Sequence, residues 1–111
     1  MSFSAAWLAL REPVDHASRN PDLAAEVTRY FAGRAHVRVV DLGCGSGSNL
    51  RATSPLLPRD QHWLLVDHDA GLLEAARASL ARWADNARSE GDALHLEKGE
   101  ARLSVRFRQA D

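Results

Sequence analysis

The sequence predicts an α/β fold in which the strands of a parallel sheet alternate with helices along the chain. Two apolar segments, "VRVVDL" at 37–42 and "QHWLLVD" at 61–67, have the aliphatic content of buried strands. Each is followed by a segment with helical signals, and this alternation predicts βαβ units with right-handed crossovers. The 111 residues, 45% hydrophobic and 26% charged, have the length and composition of one globular domain.

The first 36 residues are expected to form an N-terminal helical cover. "NPDLAAEVTRYFAG" predicts a helix, because Asn20 can cap it, Pro21 suits its first position and Gly33 suits its exit. A shorter helix is expected upstream, over "SAAWLALRE", and is ended by a proline. The cover therefore precedes the first strand and contributes no strand of its own.

Residues 37–111 are expected to hold the sheet. The first strand is expected to be covered on both faces, and the helix after it should be short because Pro55 interrupts it. The second strand ends at Asp67, and Asp69 is expected to cap a helix that runs from Ala70 to about Arg88.

Alternating apolar residues predict a β-hairpin near the end of the chain. Leu94 and Leu96 lie in its first strand, "EKGEA" forms the turn, and "RLSVRFR" at 102–108 forms its second strand. Arginines occupy alternate positions of this last strand, so one of its faces should meet water. We therefore expect it at an edge of the sheet.

The charge, the apolar runs and the cysteine and histidine content argue against several kinds of function. The net charge is −1 and the arginines form no run, so nonspecific nucleic-acid binding is not expected. The longest N-terminal apolar run is too short for a signal or a membrane span. A single cysteine, Cys44, excludes an internal disulfide and suits the cytoplasm. The five histidines form no i, i+4 pair, so no metal site is expected.

A glycine loop, "DLGCGSGS", follows the first strand. Such a loop before a helix can bind a dinucleotide, but that pattern needs a last glycine where this chain has Ser48. Asp41 would repel a pyrophosphate, and no lysine follows to complete a phosphate loop. Cys44 is interpreted as a small loop residue rather than a nucleophile.

A second acid, Asp67, closes the next strand about 20 residues further on, where such folds place an acceptor for ribose hydroxyls. If Asp67 accepts from a ribose and Asp41 binds a cation, the site suits a nucleoside that carries an ammonium group. The sequence therefore predicts a cationic nucleoside as the ligand.

These segments resemble a known family. "VVDLGCGSGSNL" and "LLVDHDAGLLEAA" are similar to the first two signature segments of class I S-adenosylmethionine-dependent methyltransferases, in the same order and at the same spacing. The resemblance implies a Rossmann-like, partial doubly wound parallel sheet made of the first three strands. The cofactor would be S-adenosylmethionine. The residues that it assigns to the cofactor are Asp41, Gly43, Cys44, Gly45, Asp67, His68 and Asp111.

The resemblance also implies individual roles. Asp41 and the loop backbone would border the methionine part, with the carboxylate on its ammonium. Asp67 would hold the ribose, His68 would lie along the adenine, and Asp111 would accept from the adenine amino group. In the family, the residues that select the methyl acceptor come later in the chain, so no catalytic residue and no acceptor are assigned here.

Two further expectations follow from the family's strand order. The chain would be an N-terminal portion that lacks the acceptor half, and it would be inactive alone. Its first strand would have one unpaired apolar edge, through which copies could associate. Two alternatives stay open: a fragment of an NAD(P)-dependent oxidoreductase, and a noncatalytic nucleoside-binding or interaction module.

Overall fold

The computed structural model describes residues 21–110, which form an α/β fold with one five-stranded mixed sheet. The order of strands across the sheet is β1-β2-β5-β4-β3. Neighbours β1, β2 and β5 are parallel, and β4 and β3 are antiparallel additions. The elements are α1 (Pro21–Phe31), β1 (His36–Leu42), α2 (Ser48–Thr53), a 3-10 turn (Ser54–Leu56), β2 (Asp60–Asp67), α3 (Ala70–Trp83), β3 (Asn86–Glu90), β4 (Ala93–Lys98) and β5 (Ala101–Gln109).

Helix α1 confirms the expected helix of the N-terminal cover. It begins at Pro21 and ends at Phe31, and Gly33 follows with φ at 86°. Only glycine adopts that conformation without steric cost, which explains the exit. The helix packs against the 3-10 turn. Asn20 and the shorter helix expected over "SAAWLALRE" lie outside the described residues.

The hydrophobic core lies on the face of the sheet that carries α2 and α3. Leu50 of α2 and Leu80 of α3 belong to the same buried cluster as Trp63 and Leu65 of β2 and Val105 of β5. Odd-numbered residues of β2 and β5 point to this face, as the register of the two strands requires. Both helices therefore cover one face, which leaves the even-numbered residues on the other.

Helix α2 is short, as Pro55 predicts, and the 3-10 turn continues it. A buried polar network fastens this turn to β2. Gln61 donates through Nε2 to the carbonyl oxygens of Ser54 and Pro58, each at 3.0 Å, and accepts from Trp63 Nε1 at 3.0 Å. The amide thus bonds three polar groups at once, and the Ser54 carbonyl accepts a second hydrogen bond from the Leu57 amide.

The long helix after β2 is shorter than the sequence predicts. Asp69 caps α3 by accepting from the amides of Gly71 and Leu72, which confirms its predicted position. The helix ends at Trp83 instead of Arg88, because residues 86–90 pair with β4 as strand β3. Sheet pairing outweighs the helical periodicity here.

The prediction that the last strand lies at an edge is wrong. Strand β5 lies inside the sheet, where it pairs with β2 on one side and β4 on the other. Its arginines at 102, 106 and 108 are exposed on the open face of the sheet. Alternation indicates that one face of a strand contacts water, and an internal strand shows the same pattern where the described helices cover only one of its faces.

The prediction that the first strand is covered on both faces is also wrong. Val37 of β1 is buried, but Val40 is 60% exposed and Leu42 is 76% exposed. Among residues 21–110, β1 pairs with β2 alone.

No helix in the same range is long and apolar enough to cross a membrane.

Candidate functional site

The glycine loop joins β1 to α2 through three glycines that all have positive φ. The values are 71° at Gly43, 56° at Gly45 and 87° at Gly47. A residue with a Cβ would lose roughly 1–2 kcal/mol at each position. The alternate spacing of the glycines is therefore a requirement of the backbone path.

The loop is fastened to the carboxyl end of β2. The amides of Gly43 and Cys44 both donate to the carbonyl oxygen of Val66, at 2.8 and 3.0 Å. The Gly45 amide donates to Asp67 Oδ2 at 3.0 Å. Three consecutive N–H groups are thus used inside the protein, whereas a loop that binds a pyrophosphate presents such groups to its ligand.

Asp67 is a hydrogen-bond acceptor at the carboxyl end of β2, where the glycine loop is attached. Its side chain is 5% exposed, and its second oxygen, Oδ1, accepts from the Asp69 amide at 2.9 Å. His68 Nδ1 lies 3.4 Å from the same oxygen. A carboxylate has about four lone-pair sites, so these contacts do not exhaust its capacity to accept hydrogen bonds.

Asp41 and Asp67, the two acids predicted to bind the ligand, lie at the same end of the sheet, where the parallel strands have their carboxyl ends. Asp41 is near the end of β1 and Asp67 at the end of β2, and these strands are parallel neighbours. Both carboxylates, after the larger effect of burial, raise the pKa of the Cys44 thiol to about 12. Two carboxylates therefore lie close to Cys44, while a guanidinium contacts the loop further along, where Arg51 Nη1 donates to the carbonyl oxygen of Ser46 at 3.1 Å.

Cys44 is a poor nucleophile in this setting. Its side chain is buried and its Sγ lies 3.6 Å from the carbonyl oxygen of Gly45. The thiolate is the reactive form, and the raised pKa keeps the thiol protonated near neutral pH. This agrees with the interpretation of Cys44 as a small residue of the loop.

The loop is open at its first glycine and packed at its third. A Cβ at Gly43 would have no atom within 4 Å, so a ligand can reach the backbone there. A Cβ at Gly47 would meet the side chain of Leu80 at 3.4 Å. Access to the loop is therefore from the side of Gly43 and Asp41.

The end of β5 adjoins this edge. Gln109 Nε2 donates to the carbonyl oxygen of His68 at 3.1 Å, and the Ala110 amide donates to that of Asp67 at 3.0 Å. His68 itself is about half exposed. Asp111, the acid expected at the adenine, lies outside the described residues. The structure thus brings the other predicted residues to one edge.

The two large grooves of the described residues lie elsewhere. One, of about 640 Å³, is on the open face of the sheet and is lined by His36, His62 and His95. The other, of about 380 Å³, lies between α1 and the segment 56–60. Neither is lined by a residue of the glycine loop. Within 21–110, no group of three or more histidine, cysteine or acidic residues could hold a metal ion.

No protein-family model, curated protein or solved structure matches this chain.

Proposed function

We propose that this chain is the S-adenosylmethionine-binding part of a methyltransferase that acts on an acceptor still to be identified. The observation that carries the proposal is the pair of carboxylates next to the first half of the glycine loop. Two carboxylates, those of Asp41 and Asp67, lie at the edge where open α/β sheets bind ligands. In the same place, the loop amides that would attract an anion donate to acceptors of the protein.

This arrangement favours a ligand with a positive group over a diphosphate. A pyrophosphate would face two carboxylates with few free donors, and like charges near 4 Å repel by about 1 kcal/mol even in bulk water. An ammonium next to Asp41 is attracted by the same charge. The observation therefore supports an amino-acid nucleoside and counts against an NAD(P)-dependent oxidoreductase.

The proposed roles follow the positions of the residues. The backbone of Gly43, Cys44 and Gly45 would border the methionine part, because the approach to Gly43 is open. Asp41 would accept from the ligand's ammonium. The ribose hydroxyls would donate to the remaining lone pairs of Asp67. In this proposal the sheet is the partial doubly wound sheet of a Rossmann-like fold.

His68 and Asp111 would complete the adenine side. The imidazole of His68 is half exposed next to Asp67, where an adenine bound to that ribose would pass. Asp111 follows the end of β5, which adjoins His68, and would accept from the adenine amino group. The lone buried thiol of Cys44 fits the cytoplasm as the proposed compartment.

The proposed contribution of this chain to methyl transfer is to position the cofactor. When bound, the cofactor supplies an electrophilic methyl group on sulfur. The contribution of this chain would be to hold the cofactor at its ammonium and its ribose, so that the methyl group keeps a fixed direction toward an acceptor. No residue of the chain is assigned to the acceptor or to a proton transfer.

Calorimetry with S-adenosylhomocysteine and matched charge variants tests the role of Asp41. Asp41→Asn removes one charge at the loop, and Asp92→Asn removes one from the exposed turn between β3 and β4. A charge-assisted hydrogen bond contributes about 1.5–3 kcal/mol, so Asp41→Asn should weaken binding roughly 10- to 150-fold. Asp92→Asn should change it less than about twofold. Equal effects of the two variants would contradict the proposal.

A second candidate is an α/β module without a ligand. One observation favours it: Asp67 already accepts from the amides of Gly45 and Asp69 and is almost fully buried, as a structural clamp would be. In that case S-adenosylhomocysteine and NAD would both fail to bind, while Asp67→Asn would still lower the free energy of unfolding. Binding of S-adenosylhomocysteine that depends on Asp41 would exclude this candidate.

A further inference from the structure

One row of side chains crosses all five strands on the open face of the sheet. The register aligns Arg38 of β1 with His62 of β2, His62 with Ser104 of β5, Ser104 with His95 of β4, and His95 with Arg88 of β3. We call these five residues the donor row. All of them line the groove of about 640 Å³ on this face.

Every side chain of the donor row can donate a hydrogen bond, and none carries a negative charge. Two are guanidinium groups, which stay protonated, two are imidazoles, and one is a hydroxyl. Neighbouring strands are about 4.8 Å apart, so the row is roughly 19 Å long. The hydroxyl of Ser104 therefore lies between two imidazoles, with an arginine at each end of the row.

The acids of the open face lie beside the donor row and near other cations. Asp60 Oδ1 is 3.7 Å from Arg102 Nε, and Glu97 faces the same arginine across the sheet. Glu90 Oε2 is 2.8 Å from Arg88 Nη1, but the two side chains are 64% and 68% exposed. An exposed ion pair of this kind contributes little to stability, so Arg88 can turn to another anion.

The open face is positive although the whole chain is negative. Five arginines of the described strands point to this face, against three acids, which are Asp60, Glu90 and Glu97; the arginines are Arg38, Arg88, Arg102, Arg106 and Arg108. The whole chain has a net charge of −1, so the rest of it is more negative than this face. An anion is therefore attracted to the open face more than to the rest of the molecule.

We propose that the donor row binds a small molecule that carries two or more phosphate groups. One phosphate next to Ser104 would accept from its hydroxyl and from the imidazoles of His62 and His95. A second would reach Arg38 or Arg88, whose guanidinium groups can bind phosphate through two parallel hydrogen bonds. The groove has the volume of a small-molecule site, for which about 300–1,000 Å³ is usual.

The donor row fits a small anion better than a protein surface or a nucleic acid. A covering helix would take two arginines out of water, which costs free energy unless each is paired. A long nucleic acid would extend beyond the row, and the rest of the chain is net negative. The proposal does not use the glycine loop and does not depend on methyltransferase activity.

Calorimetry with tripolyphosphate tests the proposal, in buffer of about physiological ionic strength to screen distant charges. The wild type should give a saturable isotherm with one site. Arg38→Gln should weaken binding roughly tenfold or more, because it removes a charge-assisted hydrogen bond. Arg82→Gln removes the same charge from an exposed position of α3 and should change the affinity less than about twofold. No binding by the wild type, or equal effects of the two variants, would overturn the proposal.

Ser104→Ala tests the centre of the row without a change of charge. Loss of the hydroxyl should weaken tripolyphosphate binding roughly threefold or more. Ser89→Ala, on β3 and outside the donor row, should leave the affinity unchanged. If Ser104→Ala also leaves it unchanged, the probe is attracted by charge alone and the donor row is not a site. Orthophosphate should bind more weakly than tripolyphosphate, and equal affinities would contradict a ligand with two or more phosphates.

Nuclear magnetic resonance separates this site from the glycine loop. Tripolyphosphate should shift the amide signals of His62, His95 and Ser104, which lie on three different strands. S-adenosylhomocysteine should instead shift signals of the loop if the proposed function is correct, so the two proposals can fail independently. Tripolyphosphate shifts confined to residues 43–47 would place the anion at the loop and overturn the inference.

Discussion

Asp67→Ala removes the acceptor that fastens the glycine loop to the second strand. The carboxylate accepts from the Gly45 amide at 3.0 Å and from the Asp69 amide at 2.9 Å. Each hydrogen bond to a charged group contributes about 1.5–3 kcal/mol. The Asp69 amide can regain water after the change, whereas the Gly45 amide lies in a partly buried loop.

The expected loss is therefore about 3–4 kcal/mol, which is one full charge-assisted bond and part of the second. A domain of this size is stable by only about 5–15 kcal/mol, so the loss is a large share of the total. Urea unfolding followed by circular dichroism measures it, with the midpoint compared at an unchanged slope.

Asp69→Ala is the matched control for this measurement. Asp69 caps α3 through the amides of Gly71 and Leu72, and loss of a cap costs about 1 kcal/mol. Asp67→Ala should therefore cost at least about 2 kcal/mol more than the control. If the two variants unfold at the same urea concentration, Asp67 does not hold the loop in place and the prediction is wrong.

Three further predictions concern the loop and the core. Gly47→Ala and Gly91→Ala should each cost about 1–2 kcal/mol in urea unfolding, because φ is positive at both positions and the new Cβ at 47 would lie at ordinary contact distance from Leu80. The thiol of Cys44 should resist iodoacetamide until the chain unfolds, and the free energy of unfolding should fall as pH rises from 9.0 to about 12, because the unfolded thiol ionises first. Gln61→Leu should cost roughly 2–4 kcal/mol in urea, since it takes the acceptor from the Trp63 indole, the side-chain donor from the Pro58 carbonyl and one of two donors from the Ser54 carbonyl. An unchanged midpoint for either glycine variant, rapid native alkylation, or an unchanged midpoint for Gln61→Leu would contradict these expectations in turn.

Local signals in the sequence were sufficient for several elements. Pro21 and Gly33 mark the ends of α1, and Asp69 marks the start of α3, because each acts within its own turn of backbone. Pro55 likewise limits α2. These features depend on neighbours along the chain, so the amino-acid pattern contains the whole cause.

Elements that depend on distant partners were predicted less well. Asn86–Glu90 lies within a helical periodicity but pairs with β4, whose partners are set by the sheet. The last strand looked like an edge because Arg102, Arg106 and Arg108 alternate with apolar residues. The pattern shows which face is wet but cannot show how many neighbours a strand has.

The candidate site was likewise predicted where it depends on the strand ends, and not where it depends on tertiary contacts. The sequence predicts that Asp41, Asp67 and the glycines come together, because parallel strands bring their carboxyl ends to one edge. The inward direction of the loop amides, toward Val66 and Asp67, was not predicted. It depends on how the loop crosses the end of β2, a tertiary contact that leaves no local signal.

The carboxylates at the glycine loop are proposed to select a nucleoside that carries an ammonium group over a dinucleotide. Parallel titrations of the chain with S-adenosylhomocysteine and with NAD in the same buffer, by isothermal calorimetry, test this selection. We expect heat and a saturable isotherm for S-adenosylhomocysteine and none for NAD. Saturable binding of NAD with no response to S-adenosylhomocysteine would contradict it.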